Sequence, residues 1–187
     1  MSSKGHLIIL SGPSGVGKGT VRQALMKDPS LHLFYSVSMT TRAPRPGEEN
    51  GREYYFVSKE EFQRNIDSGN LLEWAEFVGN RYGTPKDKVD AMIASGKNVL
   101  LEIEVNGTLT VLQKVPEAIS IYLVPPSFEA LESRIRGRST ESEEVIQERL
   151  AKARREMEMR GHYRYCVLND DVERAAREIG DIIRGEN

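Results

Sequence analysis

The segment Gly12-Pro13-Ser14-Gly15-Val16-Gly17-Lys18 constrains this chain more than any other stretch of it. An apolar run from Leu7 to Leu10 precedes it, and residues 20–26 after it read as a helix. Strand, glycine-rich turn and helix in that order match G-x-x-x-x-G-K, a loop whose backbone N–H groups converge on phosphate oxygens. Lys18 in such a loop reaches the β- and γ-phosphates, and the following helix turns its positive end to the same anion. With 16 Gly in the chain, the bare pattern arises by chance in about 6% of such sequences, so its position between a strand and a helix is what gives it weight. The motif normally continues with Ser or Thr, to touch Mg²⁺; Gly19 stands there and Thr20 follows. The spacing is not G-x-G-x-x-G, which disfavours a dinucleotide fold.

Short apolar segments alternate with longer amphipathic ones along the rest of the chain. Strands are predicted at residues 6–11, 34–38, 54–57, 72–77, 81–82, 98–105, 119–124 and 165–168. Gly79-Asn80 reads as the turn of a hairpin, and residues 39–51, rich in Thr, Arg, Pro and Gly, as a loop. Helices are predicted over 59–68, 87–95, 127–137 and 171–184, and another runs from a Thr140-x-x-Glu143 capping box to about Arg160. This alternation predicts an α/β fold with a parallel sheet covered on both faces. The stretch around the hairpin breaks the rhythm and reads as an inserted lobe.

At 187 residues the chain makes one domain able to bury its own core. Basic and acidic residues nearly cancel at a net charge of −2, which gives no footprint for bulk nucleic acid or an anionic membrane. No apolar run exceeds four residues, too short for a membrane span or a signal peptide. The single cysteine, Cys166, fits a reducing cytoplasm and reads as a buried strand thiol. His6, His32 and His162 show no metal-ligand spacing. Of the 26 basic residues 17 are Arg, the side chain suited to gripping phosphate with paired hydrogen bonds.

Three groups of residues carry candidate chemistry beyond the loop. Glu102 and Glu104 end an apolar strand on one side of it, where a carboxylate holds Mg²⁺ or its water. Arg42 and Arg45 lie three residues apart in a loop stiffened by Pro44 and Pro46, with Tyr54 and Tyr82 as further donors. A phosphoryl-transfer enzyme needs such fixed cations for a second anionic substrate. Arg134, Arg136, Arg138 and Arg149 form a third basic group in a hinged helical pair. Lys152, Arg154, Arg155 and Arg160 interleave with Glu148, Glu156 and Glu158 and read as an ordinary solvated face.

At this point the chain resembles guanylate kinase, a family of ATP-dependent kinases of GMP. The likeness rests on residues 36–48, SVSMTTRAPRPGE, against S-x-[ST]-T-R-x-P-R-x-G-E, and on residues 51–57, GREYYFV, against G-x-[DE]-Y-x-F-V. Glu73-Trp74-Ala75 and residues 79–84, GNRYGT, add to it, and the match runs from about Leu7 to Ile183. The resemblance implies a P-loop kinase core made of residues 1–37, 96–126 and 161–187. A small β-rich GMP-binding lobe (38–95) and a helical lid (127–160) are inserted in it. It implies that Arg42, Arg45, Tyr54 and Tyr82 hold the GMP phosphate, that Ser38, Glu73 and Thr84 read guanine, and that Glu102 and Glu104 complete that site. Residues 12–20, from Gly12 to Thr20, would hold ATP together with Arg134 and Asn169 near adenine. Arg138 and Arg149 would clamp the transferring phosphate, with Lys18 and Arg42 as the other catalytic cations.

Two departures stand out. The family commonly has G-K-S-T where Gly17-Lys18-Gly19-Thr20 stands, which leaves Thr20 and Glu102 as candidate Mg²⁺ contacts. Its D-x-D-x-Q-G is replaced by Glu102-Ile103-Glu104-Val105-Asn106-Gly107. The expected reaction is transfer of the γ-phosphoryl group of Mg-ATP to GMP or dGMP. The alternatives are another small-molecule kinase on the same core, or a non-catalytic phosphopeptide-binding module.

Overall fold

The computed structural model describes residues 4–137 and 141–186. Leu7–Ser11 forms β1, and all five residues are buried. Ile8 and Leu10 join one apolar cluster while Leu7 and Ile9 join another, the period-two signature of a strand covered on both faces. The glycine-rich turn then leads into α1 (Lys18–Leu25). This helix begins two residues earlier than 20–26 predicted, because Gly17 at φ +100° makes the left-handed turn by itself.

In chain order there follow β2 (Leu33–Tyr35), β3 (Met39–Thr40), β4 (Tyr55–Phe56), α2 (Lys59–Asp67), β5 (Leu71–Phe77), β6 (Asn80–Pro85) and α3 (Lys86–Ala94). The second half contains β7 (Asn98–Glu102), α4 (Val105–Lys114), β8 (Ile119–Val124), α5 (Phe128–Gly137), α6 (Glu143–Glu158), β9 (Tyr165–Leu168) and α7 (Val172–Glu186). Five strands form a parallel sheet in the order β2-β7-β1-β8-β9. On one face, Val21 and Leu25 of α1, Leu131 and Ile135 of α5, Ile146 and Leu150 of α6, and Ile179 and Ile183 of α7 pack over Ile8 and Leu10. On the other, Val89 and Ile93 of α3 and Val111 of α4 pack over Leu7, Ile9, Val99 and Leu101. The registers set Leu10 beside Glu102 and Ser11 beside Tyr122, so the carboxyl ends of the three central strands meet at the glycine-rich turn. That is where open α/β sheets bind their ligands.

A second sheet of four strands, in the order β4-β3-β6-β5, has its own small core of Met39, Phe62 and Leu71. Its hairpin β5–β6 is antiparallel, as predicted. Met39 and Thr40, read from sequence as the start of a loop, are strand instead. Met39 pairs with Tyr55 on one side and Gly83 on the other, partners that only the fold brings near. The strand predicted over 98–105 stops at Glu102, and Val105 opens α4, a helix the periodicity did not reveal. Its Val105, Thr108 and Val111 are poor helix formers, and their burial at three-residue spacing overrides that preference.

Two local expectations also change. The cap of α6 is Ser142, whose hydroxyl accepts from the Val145 N–H at 3.5 Å, and Glu143 binds Arg136 at 2.7 Å instead of closing a capping box. Thr140 itself lies outside the described residues. Cys166 is exposed, because β9 is an edge strand on which Val167, its neighbour, takes the buried face. Among the described residues no helix is long and apolar enough to cross a membrane.

The hairpin turn holds unrelieved strain. Phe77 pairs with Asn80, so the two loop residues are Val78 at φ +49° and Gly79 at φ +73°, one position before the predicted Gly79-Asn80. A β-branched side chain is disfavoured in that left-handed region. Val78→Asn should therefore stabilise the protein by about 1 kcal/mol, read as a higher urea midpoint with an unchanged slope.

Candidate active site

The glycine-rich turn is braced from three sides. Val16 carbonyl accepts from Asn169 Nδ2 at 2.8 Å and from Arg134 Nη1 at 3.1 Å. Arg149 Nη2 lies 3.4 Å from Ser14 Oγ and also pairs with Glu141 at 2.9 Å. A Cβ on Gly17 would sit 2.9 Å from Asn169 Nδ2, so only glycine allows the turn to lie against the loop before α7. Asn169 Oδ1 is buried without a partner among the described residues. Lys18 Nζ donates to the carbonyls of Gly12 and Pro13 at 2.9 and 3.3 Å. Burial lowers its pKa, and the charges of Glu156, Glu102 and Glu104 oppose that.

Beyond Lys18 opens a cavity of about 680 Å³, walled by both sheets. Ser38, Tyr54, Glu73, Tyr82, Glu102 and Glu104 line it, six residues singled out from sequence and drawn together from positions 38 to 104. Glu73 Oε1 accepts from Thr84 Oγ1 at 2.6 Å, which fixes the carboxylate at the base of β5. A Cβ on Gly107 would lie 3.1 Å from Glu73 Oε2, so a side chain at residue 107 would push this carboxylate aside by a few tenths of an ångström. Burial raises the pKa of Glu73, with Thr84 and Lys114 acting against it and Glu104 adding to it.

Arg42 borders the cavity without lining it. Its guanidinium lies 5.3 Å from the Tyr54 ring centre, and Tyr54 meets Tyr82 edge-on at 5.9 Å. Glu48 ties the Arg loop together: Oε1 binds Arg42 Nη2 at 2.9 Å and Oε2 takes the Arg45 N–H at 2.8 Å. These bonds hold the Glu48 carboxyl below the usual range. The Arg45 side chain itself is exposed and outside the cavity wall. Thr20 is likewise exposed, and Arg138 lies outside the described residues.

The family model for guanylate kinase matches residues 4–186. The chain belongs to the guanylate kinase family. The guanylate kinase of Listeria innocua is 51% identical over 187 residues, which span all of this chain and 91% of that protein. That of Lactiplantibacillus plantarum is 52% identical over 186 residues, 100% of this chain and 90% of the relative. A crystal structure of guanylate kinase from Anaplasma phagocytophilum superposes with a TM-score of 0.75 at 35% identity, covering 99% of this chain and 87% of that one. The SH3-kinase fragment of tight junction protein 3 shares the fold alone, with a TM-score of 0.50 at 12% identity over 100% of this chain and 58% of the other.

For a guanylate kinase family enzyme, several wall residues escaped sequence reasoning. Tyr35, Glu53, Asn106 and Gly107 line the cavity. Arg22 binds Glu102 at 2.6 Å and stacks 4.4 Å above the Tyr35 ring, which gives the strand-end carboxylate its cation. Lys152, which by sequence reads as part of a solvated face, also lines the cavity and binds Glu104 at 2.7 Å. Glu156, assigned to the same solvated face, is buried and accepts from the Ser14 N–H at 3.2 Å. The apolar stripe of α6 was the available signal, since Glu156 falls three residues after Ala153 and six after Leu150 on its buried side.

Because the folded pKa of Glu73 is raised, ionisation costs the fold stability above the ordinary carboxylate range and nothing below it. Glu73→Gln should have the higher thermal midpoint at pH 7. The gain should vanish as the pH is brought to about 4 or lower in parallel melts.

Proposed function

We propose that this chain transfers the γ-phosphoryl group of Mg-ATP to GMP, giving ADP and GDP, and that it accepts dGMP as well. The observation that carries the reading is Glu73, set in the wall of the same cavity that Lys18 enters and held there by Thr84 from behind the wall. An ionised carboxylate accepts from guanine N1–H and from the 2-amino group together. Adenine presents an acceptor at N1 and has no 2-amino group, so it would leave the half-buried carboxylate facing an acceptor. The Ser38 hydroxyl would donate to O6, while the Thr84 hydroxyl, whose proton goes to Glu73 Oε1, would hold the carboxylate for guanine. Arg42, Arg45, Tyr54 and Tyr82 would hold the acceptor phosphate, and Arg45 must swing inward from its exposed position to do so.

The acceptor is already an anion, so no general base is needed. Positioning and charge neutralisation by Lys18, Arg42 and Arg149 carry the chemistry, with Arg138 in the role that the family resemblance gives it. The turn from Gly12 to Gly19 would cradle the ATP phosphates, with Arg134 and Asn169 beside adenine. Mg²⁺ enters as part of the substrate. Among the described residues no group of three or more His, Cys, Asp or Glu could cage a metal. That fits an ion held mainly by phosphate and water, with one or two carboxylates beside it. A Cβ built on Gly19 would face Glu102 Oε1 at 3.8 Å, so Glu102 flanks the place where the usual hydroxyl would stand. Closure of the 38–95 lobe and of residues 127–160 over both nucleotides would exclude the water that hydrolyses ATP.

ADP release measured with GMP, dGMP, AMP, UMP and dTMP as parallel acceptors should proceed with the two guanine nucleotides alone. Turnover with AMP, or none with GMP beside phosphopeptide binding at Arg42 and Arg45, would overturn the proposal. Lys18→Ala should cut kcat about a hundredfold or more, and full activity in that variant would refute the mechanism. Gly107→Ala should keep or raise the melting temperature, since Ala favours a helix interior by about 1 kcal/mol over Gly. The same change should raise the KM for GMP through the displaced Glu73 carboxylate.

A further inference from the structure

Glu156 is the only charged residue, among those described, that the fold buries, with 8% of its surface exposed. The other charged residues of α6 are exposed or half-buried. A buried carboxylate is costly unless a cation or several donors match it, and here the partners are few. Oε2 accepts from the Ser14 N–H at 3.2 Å, and Oε1 has Lys152 Nζ at 3.8 Å. Lys18 is close enough for the two charges to act on each other, yet its hydrogen bonds go to the carbonyls of Gly12 and Pro13.

The Ser14 amide belongs to a turn whose N–H groups are shaped to meet an anion. We propose that Glu156 is an internal competitor for the phosphate loop: its carboxylate holds the Ser14 N–H that a nucleotide phosphate takes, and the phosphate displaces it. The inference rests on the reading of this loop as the ATP site. Tyr122 Oη donates to the Glu156 main-chain carbonyl at 3.0 Å and pins that turn of α6 to β8. Displacement is therefore a rotation of the side chain and not a shift of the helix. Lys152, one turn earlier on α6, is the partner to which the released carboxylate turns, and its present bond to Glu104 is exposed and readily exchanged. The competitor keeps the loop amide satisfied and couples arrival of phosphate to a rearrangement of charge between α6 and α4.

The test measures dissociation constants for ATP and for inorganic pyrophosphate by calorimetry on the full chain, without GMP. Glu156→Gln and Glu156→Ala should both bind roughly threefold or more tightly than the wild type, because a like charge no longer faces the incoming phosphate. Lys152→Met should weaken binding in the wild-type background and have a smaller effect beside Glu156→Gln. Wild-type binding with no gain in either folded variant would overturn this proposal alone and make Glu156 a fixed brace of the loop. Absence of wild-type binding to either ligand would overturn the ATP reading and this proposal with it. If Glu156→Gln fails to fold, Glu156→Ala carries the comparison; failure of both to fold also overturns it, since a competitor is dispensable to the fold.

Discussion

Everything in this molecule hangs on the burial of β1 from both faces. Its five residues lie wholly inside the parallel sheet, between β7 and β8, with one apolar cluster above and another below. A strand so enclosed cannot slip by one residue without turning its neighbours to the wrong layer. Its carboxyl end is therefore a fixed point, and the glycine-rich turn, Glu102 and Tyr122 are placed relative to it. Parallel strands need long crossovers, and the crossover between β2 and β7 is where the second sheet is inserted. The cavity is the gap between that insert and the end of β1.

Charge in this cavity is organised as opposed pairs. Lys18 stands among Glu102, Glu104 and Glu156; Arg22 holds Glu102, Lys152 holds Glu104, and Glu48 holds Arg42. Each of these cations thus already faces a carboxylate of the protein itself. The overall net charge of −2 conceals this arrangement, because the pairs cancel in the sum and separate only in space. Burial sets how firmly each charge is held: the surface pairs contribute little, while Glu73 and Glu156 carry raised pKa values because water cannot reach them freely.

The family, the parallel core and six residues of the cavity wall were legible in the sequence. Local motifs such as GPSGVGK and TTRAPRPGE carry their geometry with them, through glycine turns, proline stiffening and fixed spacing. What escaped had no local signature. The helix α4 is hidden by Val and Thr residues that favour strands, and becomes helical because its buried side meets both β1 and β5. Met39–Thr40 becomes a strand through partners 16 and 44 residues away, at Tyr55 and Gly83. Lys152 and Glu156 looked like any solvated helix face, since alternating charge does not reveal which turn lies against a loop some 140 residues earlier.

The sequence by itself determined the family and its local motifs: the glycine-rich loop between strand and helix, the arginine loop stiffened by prolines, and the strand-end carboxylates. Short-range sterics and hydrogen bonding are enough for that, and they are written in adjacent residues. Only the tertiary structure decided which charges face one another. It put Glu156 on the Ser14 amide, gave Glu73 its room at Gly107, and turned Cys166 to the surface. Those outcomes depend on packing between elements distant in the chain, where burial, and not residue type, fixes what a charge costs and what it can do.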